Sequence, residues 1–181
     1  MENNLQISLQ GHLGVITLDR ASHLNALSLS MIHGISQQLE QWREDDRVQA
    51  VLINSNSPKA FCAGGDIRFL YDSYQNGAAN YQRYFADEYH MLKSLRQYAK
   101  PALVFLDGYV LGGGFGLACV SDVAIAHADA KFGLPETGLG ILPAQIAPFV
   151  VKRIGLTQAR RLALLGGRFN GETALRVGVV H

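Results

Sequence analysis

Residues 109–122 read YVLGGGFGLACVSD, three consecutive glycines inside an otherwise apolar run. Glycine weakens helices and strands alike, so such a run means that the backbone turns sharply or lets something approach closely. A second stretch, AFCAGGDI at residues 60–67, has the same order of parts: apolar strand, small-residue loop, candidate helix. Two such units within an alternation of strands and helices point to an α/β architecture.

The flanking patterns agree. LQISL and VITLD read as a hairpin around a QGHLG turn, residues 10–14. Ser28 suits the N-cap of a helix running to about Glu44, with Met31, Ile32, Ile35, Leu39 and Trp42 on one face. VQAVLIN, residues 48–54, is a nearly continuous apolar strand of the kind covered on both faces. After residues 60–67 the pattern predicts a short helix to about Tyr74, a break at NGAA (76–79), and a helix over 80–98 with Tyr81, Tyr84, Phe85, Leu92 and Leu95 on a face. ALVFLDG leads into the three glycines, a short helix follows, and VAIAH and KFGL read as strands. From Ala144 to Arg176 the chain reads as helices broken at Gly155, Gly166–Gly167 and Gly171. There is no internal repeat, linker or low-complexity tract, so residues 1–181 are expected to form one domain.

Composition narrows the function class. A chain of 181 residues, 48% apolar and 17% charged with net charge +1, gives no global reason to expect a nucleic acid or an acidic membrane as partner. The long stretch free of Lys and Arg, residues 101–130, contains Asp107, Asp122 and several glycines, which argues against a membrane span. The start, MENNLQISLQ, does not resemble a signal peptide, and a cytoplasmic location is the expectation. Cys62 and Cys119 form no CxxC pair and read as reduced packing residues. No HExxH motif or close histidine pair suggests a catalytic metal.

Small residues before a helix let backbone N–H groups reach a ligand, and the helix start adds positive character. Two such loops from different strands can aim two N–H groups at one carbonyl oxygen, the requirement for holding an enolate or tetrahedral oxyanion. The same glycines equally serve tight turns and close packing, and the residues alone leave both readings open. Phosphate-binding alternatives fail: there is no GxxxxGK[ST], residue 117 is Leu where GxGxxG needs Gly, and no GxSxG elbow exists.

AFCAGGDI, then GYVLGGGFGLA (108–118), then FGLPETGLGILP (132–143), in this order and spacing, resemble the crotonase superfamily, also called the enoyl-CoA hydratase/isomerase family. The resemblance implies a spiral of ββα units and a coenzyme A thioester substrate, with coenzyme A entering as part of the substrate and no separate cofactor. It implies an oxyanion hole from the N–H groups of Gly65 and Gly113, with the backbone around Ala63 at the adenine end of coenzyme A and with Gly64, Asp66, Gly112 and Gly114 also binding the coenzyme A substrate. It also implies a homotrimer or hexamer, and a C-terminal bundle of helices that this chain is expected to lack.

Family hydratases typically use two glutamates, one after the glycine loop and one in the PE motif. Here the second is Glu136, while the position of the first is Gly116. Glu88, in YFADEYHML, resembles a glutamate that lines the site in the 3-hydroxyisobutyryl-CoA hydrolase branch; its alternative is a solvated helix face beside Asp87. That branch carries an aspartate where this chain has Ala144. LGILPAQIAPFVVKRIG is instead similar to hydratases of branched, glutaconyl-type thioesters, and Gln145 is a candidate for binding a polar acyl end or for a local cap. Asp66 and Asp122 are expected to pin a helix start and a turn, His90 to lie on the surface, and Lys59 and Arg68 either to meet coenzyme A phosphates or to be solvated. Hydration of a 2-enoyl-CoA through Glu136 is the leading expectation. Hydrolysis of a 3-hydroxyacyl-CoA, double-bond isomerisation and a catalytically silent coenzyme A scaffold are the alternatives.

Overall fold

The computed structural model describes residues 4–76 and 80–181. Strands β1 (Leu5–Gln10) and β2 (Leu13–Leu18) form the antiparallel hairpin, paired from Leu5↔Leu18 to Gln10↔Leu13. The turn is tighter than the QGHLG expectation: Gly11 and His12 alone connect the strands, with Gly11 at φ 61°. A two-residue hairpin needs such a residue, which glycine supplies without steric cost.

Helix α1 (Leu29–Arg43) starts at Ser28, whose side chain accepts from Met31 N at 3.3 Å, and buries Met31, Ile32, Ile35, Leu39 and Trp42. Thereafter the chain repeats one move. Strands β3 (Ala50–Ser55) and β4 (Ala60–Cys62) precede helices α2 (Ile67–Gln75) and α3 (Asn80–Arg96). Strands β5 (Ala102–Leu106) and β6 (Tyr109–Leu111) precede α4 (Gly113–Val120). Strands β7 (Val123–Ala126) and β8 (Lys131–Gly133) precede a 3-10 turn (Pro135–Leu139) and α5 (Ala147–Leu165). Most of the NGAA break lies outside the described residues.

The first strand of each repeat joins a five-stranded sheet of order β1-β2-β3-β5-β7, and the second joins another of order β4-β6-β8, closed by a short ninth strand. Neighbours β3, β5 and β7 run parallel, as do β4, β6 and β8. This is the expected spiral of ββα units. The closing strand β9 (Arg168–Phe169) was not foreseen, because two residues carry no periodicity; it precedes α6 (Gly171–Val177). Within α5, Gly155 takes φ 74° and ψ 160°, which places the expected break as a kink.

The core lies between the sheets and the helices. Every residue of α4 is buried, and Gly114 at its start packs so closely that a Cβ there would lie 2.5 Å from the Cys62 carbonyl oxygen. Cys62 and Cys119 are buried free thiols. Asp122 does not fix the turn that follows it; its Oδ2 accepts from Ala102 N at 2.9 Å and so anchors the start of β5.

Candidate active site

Three consecutive parallel strands, β4, β6 and β8, end beside one another, and the residues after each meet in one cleft of about 70 Å³. Ala63, Gly64 and Gly65 follow β4, Gly112 and Gly113 follow β6, and Glu136 follows β8. Ile67, Leu70, Phe85, Leu139 and Ile141 give the cleft an apolar wall, and Gln145 a polar one. Ligands of open α/β sheets gather at such strand ends. A larger open groove, about 570 Å³, lies against Asn54, Phe105, Ile125 and His127 but contains neither buried glutamate.

The first loop is held so that a single N–H is spared. Leu27 N donates to Gly64 O at 2.8 Å, and Asp66 N donates to Leu27 O at 3.1 Å. This bridge uses the groups on either side of Gly65 and turns Gly65's own N–H the other way. Ala63 N donates to Leu24 O at 3.0 Å, and Gly64 N approaches Cys62 Sγ at 3.4 Å. Among the described residues, Gly65 N–H finds no acceptor.

The second donor follows from helix geometry. Gly112 has φ 48° and ψ −117° and opens α4, so Gly113 is its first helical residue, and the N–H groups of a first turn lack partners within the helix. Gly113 N–H also has no acceptor among the described residues. The two loops touch: a Cβ on Gly64, at φ 103°, would lie 3.3 Å from Leu111 O and 3.7 Å from Gly113 N. Close approach of bare backbone is what the glycines provide. Paired free N–H groups at one cleft can hold a carbonyl oxygen as it gains negative charge.

Two carboxyl groups flank this backbone. Glu136 Oε1 lies 3.1 Å from where a Cβ on Gly112 would sit, and Glu88 Oε1 occupies the space that a Cβ on Gly113 would need. Glu88 is 1% exposed, so the solvated-face alternative does not hold; its neighbour Asp87 faces outward instead, 2.7 Å from His33 Nε2. Glu88 Oε2 accepts from Gln145 Nε2 at 3.0 Å. Glu88 Oε1 and Glu136 Oε2 are buried without hydrogen-bond partners among the described residues.

Burial dominates their acidity. It pushes the Glu88 carboxyl up to about 7, against the Gln145 hydrogen bond and with help from the nearby Glu136 charge. Burial also raises Glu136, opposed by its own backbone N–H. Carboxyls poised toward neutrality can give and take protons at working pH. Cys62, close by, is pushed up to about 12 by burial and is no nucleophile.

The enoyl-CoA hydratase/isomerase family matches residues 13–181. The chain belongs to that family. Pseudomonas aeruginosa AtuE superposes on this family member with a TM-score of 0.95 and 49% identity, covering 99% of this chain and 69% of that one. An enoyl-CoA hydratase/isomerase from Marinobacter aquaeolei gives a TM-score of 0.92 and 42% identity over 98% of this chain and 69% of its own. By sequence, the mitochondrial 3-hydroxyisobutyryl-CoA hydrolase of Danio rerio is 38% identical over 169 residues, 93% of this chain and 44% of that protein. The chain thus spans less than half the length of the curated relatives it matches.

Of the residues singled out for this crotonase cleft, Ala63, Gly64, Gly65, Gly112, Gly113, Glu136 and Gln145 line it, and Glu88 lies beside it. Two do not. Asp66 is spent on structure: its Oδ1 caps α2 through Phe69 N at 3.2 Å, and its Oδ2 pairs with Arg20 at 2.8 Å. Gly114 lies behind the cleft, against Cys62. Lys59 and Arg68 are exposed and outside the cleft lining, and His90 is exposed.

Sequence reasoning missed three residues that hold the first loop. Tyr84 Oη donates to Leu27 O at 2.7 Å and accepts from Asp66 N at 3.3 Å. Asn25, fully buried at φ 52°, donates to Ser55 Oγ and Ala60 O, while its Oδ1 accepts from Arg20 N. Arg20 in turn donates to Ala26 O. The polar stretch RASHLNALS was the available signal: a loop so rich in hydrogen-bonding groups suits bracing another loop.

Proposed function

We propose that this cleft adds water to a 2-enoyl-CoA thioester. The observation that carries the reading is the pair of unsatisfied N–H groups, Gly65 and Gly113, flanked by two buried carboxyls whose pKa burial raises. The thioester oxygen accepts from both N–H groups. Glu136 takes a proton from water, the water oxygen bonds to C3, and the C2=C3 electrons move toward the thioester as an enolate. A carboxylic acid in the site then protonates C2, so that one water is added in all. A single glutamate cycling between base and acid completes this balance, and Glu88 is the second carboxyl group that shares the site's protons. The likeness to the Marinobacter enoyl-CoA hydratase/isomerase supports hydration. A branched or glutaconyl-type acyl group is the substrate class we favour, and a trimer or hexamer in the cytoplasm the setting.

Hydrolysis of a 3-hydroxyacyl-CoA is the second reading, favoured by the likeness to 3-hydroxyisobutyryl-CoA hydrolases and by Glu88 at the site. Ala144, in place of that branch's aspartate, counts against it. One assay separates them: crotonyl-CoA and 3-methylglutaconyl-CoA, with enoyl absorbance and free thiol followed together. Absorbance falling with no thiol is the expected result; thiol release overturns hydration in favour of hydrolysis.

A further inference from the structure

The contact between Gln145 and Glu88 joins residues 57 positions apart and has a structural cause. The bend before α5 is closed by Ile146 N and Ala147 N donating to Pro143 O at 3.2 and 2.9 Å. Ile146 is fully buried, and its Cγ2 would lie 2.8 Å from a Cβ on Gly116. The absence of a side chain at Gly116 therefore lets Ile146 seat against α4. With that backbone fixed, Gln145 reaches Glu88 on α3.

The chemistry of the pair is specific. A Lys or Arg at 145 would hold Glu88 ionised, and an apolar residue would leave both carboxyl oxygens bare. A neutral amide serves both states, the carboxylate more strongly: the NH₂ donates a charge-assisted bond to a carboxylate, and, with the amide rotated, its oxygen accepts a weaker bond from a carboxylic acid. We infer that Gln145 is a positioning residue, holding Glu88 beside the Gly113 loop through gain and loss of its proton rather than binding the acyl end of a substrate. The inference rests on the reading that Glu88 shares in the site's proton transfers. The other titratable groups facing Glu88 are Glu136 from the 3-10 turn, Cys62 from β4 and Tyr84 from its own helix. Burial raises both the thiol and the phenol, so both stay uncharged across neutral pH and Glu136 is the carboxyl group among Glu88's titratable neighbours.

The test is a titration of the Glu88 carboxyl carbon by NMR in protein labelled at glutamate Cδ, the signal being assigned by its loss in Glu88→Gln. Gln145→Met, which keeps the length, and Gln145→Leu are compared with the parent protein. Removing a hydrogen bond that favours the carboxylate should move the midpoint upward by about one pH unit. In the hydration assay, kcat should fall roughly tenfold, in the range of a single charge-assisted hydrogen bond, while KM stays within about twofold. A midpoint unmoved in both variants overturns the positioning role, and so does a raised KM with kcat intact, the signature of a grip on the acyl end. Glu88→Gln with unchanged kcat overturns Glu88's part in the chemistry, a separate failure, because the midpoint still reports whether Gln145 holds the carboxyl.

Discussion

Ile146 fills the space into which any side chain on Gly116 would extend, its Cγ2 lying 2.8 Å from that residue's Cβ position and Leu92 Cδ1 lying 3.1 Å away on another side. The family glutamate expected at this point of α4 is therefore not simply deleted, since hydrocarbon has taken its place. Restoring it in Gly116→Glu should destabilise the fold by about 1–3 kcal/mol through overpacking, before any cost of the buried charge. Ile146→Ala in the same chain should return part of that loss, giving a non-additive cycle in denaturant unfolding. Additive effects would mean that the two side chains do not compete for space.

Glu136 lines the cleft and has an unpartnered buried oxygen, which makes it the proton-transfer group of the proposed hydration. Glu136→Gln keeps the shape and removes the base. Turnover should fall by about 10²–10⁴-fold, the range for a lost general acid–base group, while coenzyme A binding by calorimetry stays near the parent value. Full activity in this variant would refute the assignment.

The sequence and the structure agree most closely where local chemistry decides. The two small-residue loops, each between a strand and a helix, were legible as places where N–H groups are left free, while Gly65 and Gly113 themselves were implied by the likeness of their motifs to the crotonase superfamily. The burial of Glu88 was legible in principle: buried Tyr84, Met91, Leu92 and Leu95 form a helical stripe that passes through position 88. A polar residue next to Asp87 hid it. The contacts of Gln145 with Glu88, and of Ile146 with Gly116, were not legible, because each depends on how α5 returns to α3 and α4. The use of Asp66 as a cap was foreseen, but its pairing with Arg20 rests on the same long-range folding.

Tyr84 ties Leu27 O, on the residue bridged to Gly65, and Asp66 N, next along the chain from Gly65, to α3. Tyr84→Phe leaves the ring in the core and removes only the hydroxyl. The Leu27 carbonyl, already accepting from Asp66 N, loses one of two donors, so stability should drop by about 1 kcal/mol. If the loop positions the Gly65 donor, kcat should fall several-fold with an unaltered pH midpoint, because no titrating group of the cleft is touched. A loss of stability with unchanged kcat would show that the hydroxyl braces the fold alone.

Glu88 also predicts how stability varies with pH. Burial raises its pKa from the ordinary 4.5 to about 7 in the folded protein. Between those values the native state binds more protons at this group than the unfolded chain, so its contribution to stability falls as pH rises. Below about 4.5 the carboxyl is neutral in both states and exacts no penalty; above about 7 it is ionised in both, and the penalty of burying the charge is complete. The span corresponds to roughly 3 kcal/mol. Glu136, raised for the same reason, acts with the same sign. Urea unfolding of the parent protein and of Glu88→Gln, taken from pH 5 to 8, isolates the Glu88 share as the difference between the two curves. That difference should move steadily in favour of Glu88→Gln as pH rises toward 7 and then level off. A difference independent of pH would mean that Glu88 ionises as easily in the folded protein as in the unfolded chain.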